Sequence, residues 1–458
     1  MVKIKRIVLL IYKLIRVPLK KAFDNINNAK LKENLLQALP FWTGAFLTGL
    51  IAVFYAQLFH YAEMLLEWIF KEQKIWMLVI TPLCFIISWL IVNKYAPMAK
   101  GSGIPQVMSA IDMTTPKHAH LIKHLLSFKI IIVKIISSLV MVIGGGAIGR
   151  EGPTIQIAGS IFNMINKWLP SWWPKISQKN MIMTGAAAGL AAAFNTPLGG
   201  IVFTIEELTK THINYFKTAL FTGIVIAGLT AQGIIGPYLY LGYPKVANIT
   251  LFSIVWVIIT SIACGLLGAY FSKIILNIIR FKNTLKNNIN TVFFIVGSAT
   301  IVVFIAFFID KSILGSGKNI MTDLLFGSNK EITWYVPVFR MLGPIISFTN
   351  GGAGGIFAPS LAAGASVGAY LAGLLELNNS ETNLLILSGM VAFLTGVTRS
   401  PFTSAILVLE MTDRHSLIFF LMMAGLASNL AAIPVDSKSL YDHLKENYLN
   451  AFRKNNYK

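Results

Sequence analysis

The chain is dominated by long apolar stretches that glycine and proline interrupt. Of its 458 residues, 55% are hydrophobic and 13% are charged, whereas a soluble globular protein carries about 25% charged residues. Stretches such as 76–94 and 130–148 approach the roughly 20 residues that a helix needs to cross a bilayer, but 197–205 and 402–410 are far too short. The sequence therefore predicts an all-α polytopic membrane protein in which long and short helices are mixed.

Five breaks divide the apolar sequence. In chain order they are Gly101 to Pro105, Gly149 to Pro153, Pro197, Gly351 to Pro359, and Pro401. Interrupted helices at membrane depth are tolerated where they line a polar cavity, and they are typical of transporter binding sites. Continuous but kinked helices would explain one or two such breaks. Five breaks favour a binding site inside the membrane.

Two blocks of the sequence recur in register. Gly149–Thr154 matches Gly355–Ser360 in its glycine, proline and hydroxyl positions. A second match joins two sets of three residues that have identical spacing. The first set is Gly185, Pro197 and Glu206, and the second is Gly389, Pro401 and Glu410. This repetition predicts two related membrane repeats, residues 35–240 and 241–435, with a substrate site near mid-membrane where they meet.

The net charge of +20 is concentrated in loops and at the two ends of the chain. Within residues 1–32, nine lysines and arginines accompany a single acid, Asp24, which is typical of a cytoplasmic segment beside a membrane. We therefore predict that 1–34 is a basic amphipathic helix on the inner surface and that 436–458 is a C-terminal cytoplasmic helix. The charges form no surface for reading nucleic acid, so no nucleic-acid partner is expected.

Three of the breaks would begin helices whose free N–H groups can hold an anion. They are Ser102 to Pro105, Glu151 to Pro153, and Ile356 to Pro359. Backbone N–H groups and the helix dipole bind an anion without the full charge of a lysine or arginine, which would hold it too tightly for transport. Ser102 adds a hydroxyl donor, and glycine allows close approach of the backbone. The sequence predicts a site for a small anion.

Glu151 is an ionisable residue at or just before one of these helix starts. Such a residue at membrane depth indicates a functional site, although a simple helix cap is the alternative. When ionised, Glu151 would compete with the anion, and when protonated it need not occupy the site. The matching position in the second repeat is Phe357, so this kind of helix start does not require a carboxylate. We therefore interpret Glu151 as a gate.

The adjacent acids Glu206 and Glu207 end the short segment 197–205. Neighbouring side chains on a helix point about 100° apart, so the two need not share a role. Glu206 recurs as Glu410, which favours a shared structural role, and Glu207 remains as the acid available for function. A surface charge at a helix end is the alternative for each.

Other candidate motifs fail. The histidines have no metal-ligand spacing, and Gly315–Lys318 mimics only the end of a phosphate-binding loop; we predict an ordinary loop there. Neither a metal nor a cofactor is expected.

Taken together, Gly101–Pro105, Gly149–Pro153 and Gly355–Pro359 resemble the signatures of the CLC family of chloride channels and chloride/proton antiporters, as does Gly185 to Pro197. The resemblance extends over about 35–445. It implies two inverted-topology repeats with many tilted, short and broken helices, and a homodimer with one ion pathway in each subunit. The segments that resemble the dimer-interface helices are 197–206, 217–227, 403–411 and 417–431.

The resemblance also implies roles for individual residues. Glu151 corresponds to the gating glutamate and Glu207 to the inner proton-transfer glutamate of the antiporter branch. The implied anion-binding residues are Ser102, Gly103, Ile104, Arg150, Glu151, Gly152, Ile356, Phe357, Ala358 and Tyr441. Lys134 and Arg340 also resemble family positions, and we assign them structural or electrostatic support.

The function implied is exchange of chloride for protons across the cell inner membrane, with both termini in the cytoplasm, and not an enzymatic reaction. Glu207 favours antiport over passive conduction, and Ser102 with Tyr441 favours chloride over fluoride. With no CBS domain expected after the membrane part, the chain resembles bacterial-type transporters. Gln106 and Met108 stand where related antiporters often carry acids, a departure on the inner proton entry route.

Two other readings of the same residues compete with exchange. The first is a passive, voltage- or pH-gated chloride channel of the same fold. The second is a membrane-embedded enzyme with Glu151 and Glu207 as acid and base, which lacks a metal site or nucleophile.

Overall fold

The structure is a computed structural model of the chain. It describes residues 23–25, 27–209, 217–236, 239–247, 249, 252–285 and 287–454. Most of the predicted N-terminal segment 1–34 therefore lies outside the described residues. Its last six residues belong to a long helix that begins at Ala29.

The described chain folds into α-helices joined by short 3₁₀ turns. The helices before residue 240 are α1 (Ala29–Glu72), α2 (Met77–Tyr95), α3 (Ile104–Asp112), α4 (Ile122–Leu125), α5 (Phe128–Ile143), α6 (Glu151–Trp168), α7 (Gln178–Phe194), α8 (Pro197–Phe203) and α9 (Lys217–Ile235). The helices after it are α10 (Ser253–Thr284), α11 (Asn288–Phe308), α12 (Lys318–Phe326), α13 (Tyr335–Thr349), α14 (Phe357–Leu374), α15 (Asn379–Thr398), α16 (Pro401–Thr412), α17 (Ile418–Ala432) and α18 (Leu440–Lys454).

The helices differ widely in how much of their surface faces outward. In the part of the chain that the structure describes, nine helical segments are long and apolar enough to cross a membrane. Outer helices such as α2 and α11 expose large apolar side chains, including Leu83, Phe293 and Phe304. By contrast, α14 and α15 are almost entirely enclosed. This arrangement suits a protein whose outside contacts lipid and whose centre carries the site.

The short helices have local causes in the sequence. α7 and α15 end at Asn195 and Arg399, both with φ of 60°, the left-handed conformation that terminates helices. Pro197 and Pro401 then stand at the first position of α8 and α16, where proline costs no hydrogen bond. The same break thus occurs twice at equivalent places, in agreement with the predicted repeat.

The two halves of the molecule cap each other's short helices. The carboxylate of Glu410 accepts hydrogen bonds from the backbone N–H groups of Leu198 (3.1 Å) and Gly199 (2.7 Å) at the start of α8. Reciprocally, Glu206 accepts from Phe402 (3.2 Å) and Thr403 (2.7 Å) at the start of α16. A carboxylate satisfies free N–H groups and complements the dipole at a helix N-terminus. The shared structural role predicted for Glu206 and Glu410 is confirmed.

Loss of either cap is expected to destabilise the fold. Glu206→Ala and Glu410→Ala should each cost ~1 kcal/mol of unfolding free energy, the usual effect of losing a helix N-cap. The measurement is the midpoint of thermal unfolding in detergent, with Glu331→Ala as an exposed control. If both cap variants unfolded at the temperature of the control, the capping contribution would be refuted.

A second symmetry links two glycine-serine-glycine loops. Gly101 (φ 64°) and Gly103 (φ 109°) precede α3, and Gly315 (φ 67°) and Gly317 (φ 87°) precede α12. Each loop therefore has the same succession of left-handed glycines before a nine-residue helix. The predicted loop at Gly315–Lys318 is confirmed for Gly315–Gly317, whereas Lys318 already begins α12; the relation of this loop to Gly101–Gly103 was missed.

A buried cation holds the chain entering each of these two loops. The ammonium of Lys134 donates to the carbonyls of Ala99 (2.7 Å) and Gly101 (2.8 Å). The guanidinium of Arg340 donates to three carbonyls just before and at the start of the second loop. They belong to Ser312 (2.6 Å), Leu314 (2.9 Å) and Gly315 (2.9 Å). Hydrogen bonds to carbonyl oxygens offset part of the cost of burying a charge. Both cations support loop conformation.

Candidate functional site

The loops that carry the sequence signatures are joined backbone to backbone. Gly101 N–H donates to Gly352 O (2.8 Å), and Gly101 O accepts from Gly354 N–H (3.1 Å). Gly149 and Gly355 exchange two hydrogen bonds of 2.8 and 2.7 Å. Four backbone hydrogen bonds thus fix the relative position of the three loops before α3, α6 and α14.

The N-termini of α3, α6 and α14 converge at these joined loops. A Cβ added at Gly152 would collide with Ser102 Oγ, and one added at Gly103 would lie 2.8 Å from Gly152 O. Gly355 also lies close to Gly152, since a Cβ added at Gly355 would be 3.1 Å from Gly152 N. The glycines are needed here because they allow the backbones of three helix starts to meet.

None of these three helices is capped by the side chain of its own N-cap residue. Their N-cap residues are Gly103, Arg150 and Ile356, and none makes a side-chain capping hydrogen bond. A buried helix start without a cap leaves N–H donors and partial positive charge available. Such a cluster is suited to binding an anion.

Two hydroxyls face the same place. Ser102 and Tyr441 are both almost completely buried, and their hydroxyl groups are neighbours. Among the described residues, neither hydroxyl has a hydrogen-bond partner of standard geometry. Buried hydroxyls are normally hydrogen-bonded, so this pair fits a small anion as the missing acceptor.

Glu151 is the first residue of α6, so its predicted place at a helix N-terminus is confirmed. Its carboxylate is buried beside the loops just described, with 1% of the residue exposed. Oε1 accepts a hydrogen bond of 3.2 Å from the hydroxyl of Tyr240. Arg150, the preceding residue, acts on the carboxylate electrostatically. Glu151 thus occupies the kind of position that an anion would take.

Glu207 lies in a π-helical segment, Thr204–Thr209, that continues from α8. Such π turns are frequent at functional sites. Its carboxylate is buried, and Ser400 Oγ donates a hydrogen bond of 2.6 Å to Oε2. The charges of both Glu207 and Glu151 act on the Tyr441 hydroxyl. Both acids are therefore within electrostatic range of Tyr441, the residue predicted to bind the anion.

A row of aromatic rings leads from Tyr240, the partner of Glu151, to Tyr441. Tyr240 packs edge-on against Phe194 (5.1 Å between ring centroids), which contacts Phe357 (6.2 Å). Phe357 stacks on Tyr441 at 6.1 Å with 12° between the rings. Contacts of this kind hold ring orientations. Because Phe357 begins α14, these contacts fix the positions of the Tyr240 and Tyr441 hydroxyls relative to that helix.

A cavity of about 480 Å³ reaches Ser102 from the side on which α18 lies. Lys100 and Lys282 line it, and no carboxylate of the described residues does so. Lys282 also donates to the carbonyls of Thr349 (3.1 Å) and Asn350, at the end of α13. Gln106 is on the cavity wall, where its amide donates to Met98 O, Lys100 O and Tyr448 Oη. An anion can approach Ser102 through a basic vestibule.

The structure brings the predicted site residues to one region. The converging loops and helix starts contain Ser102, Gly103, Ile104, Arg150, Glu151, Gly152, Ile356, Phe357 and Ala358, and Tyr441 reaches them from α18. Sequence reasoning missed three partners, namely Tyr240, Ser400 and Lys282. Ser400 could have been found, because it is the residue before Pro401 in the repeat.

This constellation is typical of ion-transport proteins: helix starts converge inside a membrane protein, with a buried carboxylate beside them. Comparison with known proteins agrees. A family model described as voltage gated chloride channel matches residues 83–432, well over half of the chain. The chain belongs to this family, the CLC family.

A chloride/proton exchanger is among the proteins similar to this chain in sequence. The chain is 29% identical over 409 residues to the H(+)/Cl(-) exchange transporter ClcA of Citrobacter koseri, an alignment covering 86% of this chain and 85% of that protein.

Three solved structures resemble this one in fold. The first is a slow cyanobacterial Cl−/H+ antiporter (TM-score 0.78, 24% identity, 92% of this chain and 99% of that chain covered). The second is a CLC-type fluoride/proton antiporter (0.74, 19%, 92% and 99%). The third is a eukaryotic CLC transporter (0.72, 19%, 90% and 74%). At these identities the structural similarity establishes the fold: two inverted repeats of tilted, short and broken helices.

Proposed function

We propose that this protein exchanges chloride for protons across the membrane, with Glu151 as the gate and Glu207 as the inner proton-transfer group. The observation that carries the proposal is the burial of the Glu151 carboxylate at the meeting of three uncapped helix starts, beside Ser102 and Tyr441. An anion and an ionised carboxylate exclude each other from such a place. Protonation of Glu151 therefore opens the anion site.

Each implied anion ligand has a defined part in this proposal. Ser102 and Tyr441 donate hydroxyls, and the backbone N–H groups of Ile356 and Phe357 complete the central site. An outer site uses the N–H groups of Arg150, Glu151, Gly152 and Ala358, and an inner one uses Ser102 and Gly103, where Ile104 begins α3. Backbone donors bind the ion without the strength of a full opposite charge, which permits its release.

Proton movement requires a second acid on the other side of the anion site. In this proposal that acid is Glu207, which is buried, accepts a hydrogen bond from Ser400 Oγ and acts electrostatically on Tyr441. Gln106, which occupies one of the positions where related antiporters often carry acids, uses its amide to tie α3 to the neighbouring loop and to α18. In this proposal the proton reaches Glu207 without Gln106.

The proposed assembly is a homodimer in the cell inner membrane, with the N- and C-terminal segments in the cytoplasm. Its interface uses α8, α9, α16 and α17, which together expose a set of large apolar side chains: Leu198, Phe221, Phe402, Phe419 and Leu430. Residues 35–240 and 241–435 form the two repeats of each subunit, and 436–458 supplies Tyr441. Chloride and protons are the substrates, and no cofactor takes part.

The test is transport by the purified full-length protein in liposomes. We expect an imposed chloride gradient to drive protons uphill, recorded as a pH change that protein-free liposomes do not show. In coupled exchange, the free energy of the chloride gradient drives protons against their own gradient. Chloride flux without any proton movement would reject exchange and leave a gated chloride channel as the function.

A further inference from the structure

The segment that follows α9 supplies a side chain to the gate. Tyr240 follows α9 and is buried, with 4% of the residue exposed. The next residue, Leu241, anchors the segment by donating its N–H to Met411 O at 3.1 Å. The Tyr240 hydroxyl then reaches Glu151 Oε1 at 3.2 Å. A residue far from every signature motif thus makes a direct contact with the gating carboxylate.

Two side chains contact the Tyr240 ring. Phe194 packs on it at 5.1 Å and 75°, and the ammonium of Lys318 lies 4.7 Å from the ring centroid. A cation over an aromatic ring attracts its π face, so Lys318 holds the ring and favours its hydroxyl as a donor. Lys318 itself begins α12, directly after the Gly315–Gly317 loop. The hydroxyl therefore has little freedom to leave Glu151.

We propose that Tyr240 is a latch that holds Glu151 in its ionised, blocking position; this inference rests on the proposed function. A donor that hydrogen-bonds the charged form of a carboxyl group favours that form. Opening the gate then requires both protonation of Glu151 and release of the hydroxyl. Tyr240 is a positioning residue, because it acts on transport through Glu151.

Other charged and titratable groups surround this contact. Arg150, Glu63 and Glu151 all act electrostatically on Lys318, and Arg150 and Glu63 act on Tyr240. Glu63 on α1 accepts a hydrogen bond of 2.6 Å from Ser316 Oγ. Tyr55, also on α1, shares a hydrogen bond of 2.7 Å with Ser138. Tyr240→Phe leaves every one of these groups in place and removes only the donor.

The decisive experiment measures chloride flux of the full-length protein in liposomes from acidic to neutral pH. We expect Tyr240→Phe to shift half-maximal flux upward by about one pH unit and to raise flux severalfold at neutral pH. Lys318→Met should shift the profile in the same direction by less, because the ring is less firmly held. Tyr243→Phe, an exposed tyrosine of the same segment, is the matched control and should behave as wild type.

A double variant separates a latch from a general structural effect. In a Glu151→Ala background, Tyr240→Phe should add nothing, since the group on which it acts is gone. The latch is overturned if Tyr240→Phe has the wild-type pH profile, or if its effect persists without Glu151. Proton coupling of the wild-type protein is recorded in the same liposomes. Uncoupled wild-type flux would refute exchange, whereas coupled flux with an unshifted Tyr240→Phe profile would refute the latch alone.

Discussion

Glu151→Gln is expected to keep chloride flux and to lose coupled proton movement completely. Glutamine has the shape of the protonated acid but cannot carry a proton, so the anion site stays accessible and the exchange cycle is broken. Flux should also become nearly independent of pH, because the group whose charge blocks the site is gone. The measurements are chloride efflux from liposomes and the accompanying change of external pH.

The matched control for this variant is Glu67→Gln. Glu67 lies one helical turn from Glu63 on α1, is exposed, and accepts a hydrogen bond from Asn319. The same chemical change there should leave coupling at the wild-type level. Proton uptake that survived in Glu151→Gln would remove Glu151 from the proton pathway.

Glu207→Gln is expected to reduce proton movement to the level of protein-free liposomes while chloride flux continues. The carboxylate is buried and held by Ser400 Oγ, and an amide at that place cannot relay a proton. Gating at Glu151 remains, so flux should keep its dependence on pH. This combination distinguishes Glu207→Gln from Glu151→Gln in one set of recordings.

The neighbouring acid provides a sharp control. Glu206 caps α16, so Glu206→Gln should lower thermal stability and retain proton coupling. Glu207→Gln should instead keep the wild-type thermal stability and lose proton coupling. If both variants lost coupling equally, the division of roles between the two adjacent acids would be wrong.

Much of the site was predictable because helix starts have local causes. Glycine before proline fixes where α3, α6 and α14 begin, and the repeat identified Glu206 and Glu410 as a structural pair before their contacts were seen. Glu151 stood out because the equivalent residue in the second repeat, Phe357, is apolar. These inferences depended on spacing within short segments, which the sequence records directly.

The remaining features depend on contacts between distant segments. Tyr240 reaches Glu151 from the segment that follows α9, where neither periodicity nor a motif marks it. Gly315–Lys318 was compared with a phosphate-binding motif, although its relevant counterpart was the loop at Gly101–Gly103. The two serines of these loops differ in their surroundings, since Ser316 donates to Glu63 and Ser102 lies beside the hydroxyl of Tyr441. Only the folded chain distinguishes them.

The exchange of caps between α8 and α16 bears on how such a molecule came to exist. Each half carries a helix that only the other half completes: Glu410 serves the first and Glu206 the second. An isolated half would leave N–H groups without acceptors at a helix start, at a cost in stability. An ancestor consisting of one repeat would therefore have needed a second copy beside it, inserted in the opposite orientation. Joining two such copies in one chain would keep each helix start permanently beside the carboxylate that completes it.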